Sequence, residues 1–155
     1  MCPHSKSVLL LFPPGALAGL TKLQHLDFDS CEWSGPSEEE HTGNPMPDLR
    51  QLTQLTYLRL YEGLSAYQAR NIPAAAYSAL TASSKMQHLD ISGCTLPADV
   101  WQHVFPAGRQ LPHLTSLNID EVKKPHWANS GLPLAGPEGS LLASCCPRLP
   151  AVKPR

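Results

Sequence analysis

Charge of either sign is scarce in this chain, with 12 Lys and Arg against 13 Asp and Glu in 155 residues. So even a balance gives no footing for nucleic acid or an anionic membrane surface, both of which are held by a clustered cationic excess. Nor is there an apolar run approaching the ~20 residues that cross a bilayer. The five cysteines form no C-x-x-C pair, and their odd number suits a reduced intracellular setting better than a disulfide framework. The apolar stretch at residues 8–12 is stopped by Pro13 and Pro14. It is shorter than the roughly 7–15 residues of a signal-peptide core, so the expected location is cytoplasmic.

Signatures of catalysis are missing too. No G-x-S-x-G occurs, and no serine or cysteine stands in a recognisable nucleophile motif. The expectation is a protein that is not an enzyme and takes no cofactor.

What is present is an apolar pattern in four copies. Leu20, Leu23, Leu26, Phe28 and Cys31 are followed by Leu52, Leu55, Leu58, Leu60 and Gly63, then by Met86, Leu89, Ile91 and Cys94, then by Leu111, Leu114, Leu117, Ile119 and Val122. Apolar residues two apart share one face of a strand and leave their neighbours on the other, so each copy predicts a short, half-buried strand. Leu23 to Leu55 spans 32 residues, Leu55 to Met86 spans 31, and Met86 to Leu114 spans 28. Those lengths fit a strand, a loop and a helical return, with neighbouring units closing each other's apolar side. Sixteen prolines, about twice average usage, fall mostly between the copies.

The pattern L-x-x-L-x-x-L-x-L-x-x-C/N resembles the leucine-rich repeat family, and Cys31 and Cys94 at its last position are similar to the cysteine-containing branch. The resemblance covers about residues 17 to 152. It implies an α/β solenoid of four to five irregular repeats, with parallel strands on a concave face and helices and loops on the convex one. A single domain over 1–155 is expected: a cap or degenerate repeat at 1–19, repeats at 20–48, 49–82, 83–110 and 111–145, and a truncated fifth repeat at 146–155.

Insertions are expected at 32–48, which carries Glu38, Glu39 and Glu40, and at 123–137, which carries Trp127. Helical returns are expected over 64–84, with Ala76, Tyr77 and Leu80 on one face, over 97–105 and over 138–146. Asp48 reads as the cap of a short helical turn.

In this family the residues between the strand leucines form the face that most often binds. Read across the copies, they give three columns: His25, Tyr57, His88 and Ser116; Asp27, Arg59, Asp90 and Asn118; and Asp29, Tyr61, Ser92 and Asp120. Members of a column in a parallel stack lie about 4.8 Å apart, so Arg59 can pair with carboxylates on both sides. Two histidines two strands apart are separated by about 10 Å, too far to share one zinc comfortably, so no metal site is expected. His113 and His126 fall outside the strand positions.

A mixture of Tyr, His, Arg and Asp suits a protein-binding surface, with Tyr57, Arg59 and Tyr61 at its centre. The expected function is a non-catalytic protein-binding module. The resemblance leaves two other readings open: the substrate-recognition part of a ubiquitin-ligase adaptor, and a structural component of a larger cytoskeletal assembly such as a ciliary axoneme.

Overall fold

A computed structural model of the chain describes residues 15–29, 44–125 and 133–150. The architecture is α/β. Four strands, β1 (His25–Asp29), β2 (Tyr57–Tyr61), β3 (His88–Asp90) and β4 (Ser116–Asn118), form one parallel sheet in sequence order. The alternation of leucine with polar residues sets the register. Leu26, Leu58, Leu89 and Leu117 lie side by side, as do Asp27, Arg59, Asp90 and Asn118. A slip of one residue would carry the leucines to the solvent face, so burial of one face pins the pairing.

The same backbone devices recur around each strand. The L-x-x-L spacing is a four-residue turn in every copy: the N–H of Leu23, Leu55, Met86 and Leu114 is donated to the carbonyl of Leu20, Leu52, Ser83 and Leu111 respectively. At the strand entry one carbonyl accepts two N–H groups from the next strand, Gln24 from Thr56 and Tyr57, Thr56 from Gln87 and His88, and Gln87 from Thr115 and Ser116. At the exit a second turn closes from Gly63 to Leu60, Cys94 to Ile91 and Val122 to Ile119. Its third residue is left-handed each time, with φ of 52° at Glu62, 71° at Gly93 and 58° at Glu121.

The returns are short helices: α1 (Met46–Gln51), α2 (Ala66–Asn71), a 3-10 helix (Ala74–Thr81), α3 (Trp101–Val104) and α4 (Gly139–Cys145). Their apolar sides and the strand leucines enclose one core, in which Leu58, Leu60, Tyr77, Leu80, Leu89, Val104 and Phe105 are fully buried. The return over 64–84 is two pieces. The residue before a proline is pushed out of the helical region, and Ile72, ahead of Pro73, is extended at φ −98° and ψ 121°. The chain resumes with three residues per turn, so Tyr77 and Leu80 face the core at a spacing of three, with Ala76 only partly buried. Helix α2 starts where the Gln68 side chain accepts the N–H of Ser65 at 2.9 Å.

Asp48 differs from the expectation. It lies inside α1, and its carboxylate accepts the N–H of Gly15 at 2.9 Å and of Leu17 at 3.4 Å. It thus anchors the segment ahead of β1, while the side chain of Asn44 accepts the N–H of Met46 at 3.0 Å. Leu20, aligned with core leucines, is 46% exposed, because no element packs over the outer side of that first turn among the described residues.

The insertion at 123–137 is not wholly irregular. Lys123 pairs in parallel with Thr95 and antiparallel with Pro133. Cys31, Trp127, His126, the stretch 8–12, Glu38 to Glu40 and residues 151–155 lie outside the described residues. Among the described residues no helix is long and apolar enough to cross a membrane.

Candidate functional site: the open face of the sheet

Alternation sends every second strand residue away from the helices. In β1 the burial pattern is exposed at His25, Asp27 and Asp29 and buried at Leu26 and Phe28, and β2 repeats it with Tyr57, Arg59 and Tyr61 half-buried. The twelve column residues anticipated from the sequence therefore meet on one surface, though Ser92 and Asp120 stand just past the ends of β3 and β4.

The first column is a stack of rings. His25 lies over Tyr57 with centroids 4.0 Å apart and planes inclined by 10°, and Tyr57 lies over His88 at 4.5 Å and 7°. Those separations match the strand spacing, so the ring normals run across the strands. Both π-faces of Tyr57 are covered, and what it offers outward is its edge and its hydroxyl. His25 and His88 are kept apart by an entire ring.

The second column is organised around Arg59. Its guanidinium lies 3.7 Å from Asp27, 3.8 Å from Asp29 and 3.6 Å from Asp90. It also sits 5.5 Å from the centroid of the Tyr61 ring. Asp90 is the most enclosed of these acids, with its side chain 11% exposed. One carboxylate oxygen accepts the N–H of Ser92 at 2.9 Å and its hydroxyl at 2.5 Å, and the other accepts the Asn118 amide at 3.3 Å. Asn118 repeats the turn, accepting the N–H of Asp120 at 3.1 Å. Arg59 is paired on both sides as its column position anticipates, with Asp27 and Asp90, and it also reaches Asp29. The pairs with Asp27 and Asp29 are solvated, and each contributes about 0–1 kcal/mol.

Two further rows border the columns. Three positions before the ring stack come Lys22, Gln54, Lys85 and His113, and the amine of Lys85 donates to the Gln54 side chain at 2.5 Å. Beyond the third column come Glu62, Gly93 and Glu121. A Cβ on Gly93 would meet the Glu62 side chain at 2.6 Å, so Glu62 lies across the glycine towards β4. The entry row lies three positions before the first column and the exit row one position after the third, so reading the aligned copies at those offsets finds both. The face is cationic where the strands enter and anionic where they leave.

Under the sheet, the buried Cys94 thiol donates to the Leu60 carbonyl at 2.9 Å, and burial pushes its pKa up to about 12. The Tyr77 hydroxyl, buried and without a hydrogen-bond partner among the described residues, is shifted the same way by burial and by nearby Cys94. Both groups lie on the core side. Among the described residues no three His, Cys, Asp or Glu side chains converge so as to hold a metal ion. A groove of about 690 Å³ runs between α3 and the start of α4, lined by Asp99, Trp101, Lys124, Leu134, Glu138 and Leu141 among others, and no column residue belongs to it. The Trp101 indole donates across it to the Ala135 carbonyl at 2.7 Å.

Comparison of this chain with protein-family models, with curated proteins and with solved structures gives no match.

Proposed function

We propose that this chain is a non-catalytic, leucine-rich-repeat-like solenoid that binds another protein through the open face of its sheet. The observation that carries the reading is the register. It sets ten polar and aromatic side chains in ordered columns on one side, with Ser92 and Asp120 just past the strand ends, the rings stacked and the charges mutually held. A surface whose rotamers are already fixed loses less conformational entropy on association. Among the described residues the titratable groups of the face are arranged as rows and ion pairs, which favours recognition.

The test is affinity capture with the full chain and with Tyr57→Ala combined with Arg59→Ala. Loss of the captured protein with an unchanged far-UV circular dichroism spectrum is expected. Undiminished capture would move binding away from this face.

A further inference from the structure

We propose that the segment this face accepts is cationic, an extended arginine- or lysine-bearing stretch lying across the exit ends of the strands; the inference rests on the protein-binding reading of the same face. Three observations support it. First, six carboxylates (Asp27, Asp29, Glu62, Asp90, Asp120 and Glu121) share the columns and exit row with one guanidinium, that of Arg59, an excess of five negative charges among the described residues of those rows. Arg59 already lies within 3.8 Å of Asp27, Asp29 and Asp90, so it cannot also neutralise Glu62, Asp120 and Glu121, all of which are exposed.

Second, the charge is directional. Lys22 and Lys85 stand at the entry end, and Lys85 is eight residues before Gly93 of the exit row, up to about 26 Å away along an extended chain. A basic segment is drawn to one end and repelled from the other, so complementarity fixes its place as well as its sign. Third, the ring stack closes the π-faces of Tyr57. A flat apolar or aromatic partner finds no open ring face on Tyr57 to stack upon, whereas cationic donors find exposed carboxylates on Glu62 and Glu121, two strands apart with only Gly93 between them, and on Asp120 beside Glu121. Four strands cover about 14 Å, the length of four to five extended residues, so the anionic row suits a peptide running across the strands.

The experiment is selection of a random peptide display library against the full chain, followed by affinity measurement of the selected peptides. The variants are a neutralised exit row (Glu62→Gln, Asp120→Asn, Glu121→Gln), a neutralised entry row (Lys22→Gln, Lys85→Gln) and Tyr57→Ala, each checked by circular dichroism. The expected result is peptides enriched in Arg and Lys, bound about tenfold more weakly by the exit-row variant, equally or more tightly by the entry-row variant, and more weakly in added salt. Acidic or apolar peptides that Tyr57→Ala releases but the exit-row variant retains would overturn the cationic assignment and leave the face as the binding surface. Peptides indifferent to all three variants would overturn both.

Discussion

The sulfur of Cys94 and the carbonyl oxygen of Leu60 are 34 residues apart in sequence and 2.9 Å apart in space, so the thiol after one strand is tied to the backbone of the strand before it. The Leu60 carbonyl also accepts the N–H of Gly63 at 3.0 Å and keeps a partner if the thiol is lost. Cys94→Ala is therefore expected to cost about 1–2 kcal/mol, mostly for the vacated volume and a weak hydrogen bond.

The same thiol gives a dependence on pH. Unfolded, it ionises near its ordinary value of 9.0; folded, burial holds it protonated to about 12. Between those values the unfolded chain binds fewer protons, so stability falls as pH rises. The contribution is complete below 9.0 and lost as pH passes through about 12. Urea titrations from pH 8 upward should show a shallower fall for Cys94→Ala than for the parent. Equal slopes would mean the thiol ionises freely in the folded state. Tyr77 acts in the same direction and leaves a residual slope in both.

Left-handed backbone at the exit turns is a second handle. Glu62 and Glu121 hold positive φ with a Cβ, a conformation costing about 1 kcal/mol or more, while Gly93 holds it without strain. Glu62→Gly and Glu121→Gly should each stabilise by up to ~1 kcal/mol, and Gly93→Ala should destabilise by more than that. Because the new methyl group meets the Glu62 side chain, Gly93→Ala should cost less in the Glu62→Gly background. Thermal melts of the four combinations read the coupling, and strict additivity would remove the contact from the account.

Asp48 supplies a third. Replacing it with Ala removes the acceptor of the Gly15 and Leu17 amides, for an expected cost of about 1–3 kcal/mol. Hydrogen exchange should quicken at those two amides first. Unchanged exchange there with an equal loss of global stability would assign Asp48 to α1 alone.

Much of the sheet was legible because a period of two and a spacing of about 30 residues are strong, redundant signals. Leu26, Leu58, Leu89 and Leu117 each sit where alternation puts them, and the placing of Arg59 between Asp27 and Asp90 follows from the column alone. The returns were harder to read. A five-residue apolar pattern around Tyr77 does not distinguish four-residue from three-residue helical spacing, and only the extended Ile72 before Pro73 shows where α2 must stop. Asp48 has the composition of a cap, and nothing local reveals that its partners lie more than 30 residues back. The left-handed turns at Glu62 and Glu121 were not legible because glutamate carries no turn signal. Ring orientation at Tyr57, which decides what a partner can touch, follows from the neighbours His25 and His88 and not from tyrosine itself.

Among the described residues no strand pairs with a segment more than 32 residues distant, since His25 meets Tyr57, Tyr57 meets His88 and His88 meets Ser116. Each addition thus closes a loop of nearly the same size, and the entropy lost hardly changes from one addition to the next. A chain so arranged has no distant ends to bring together: assembly spreads outward from whichever inner pair forms first, and damage at one end is felt last at the other.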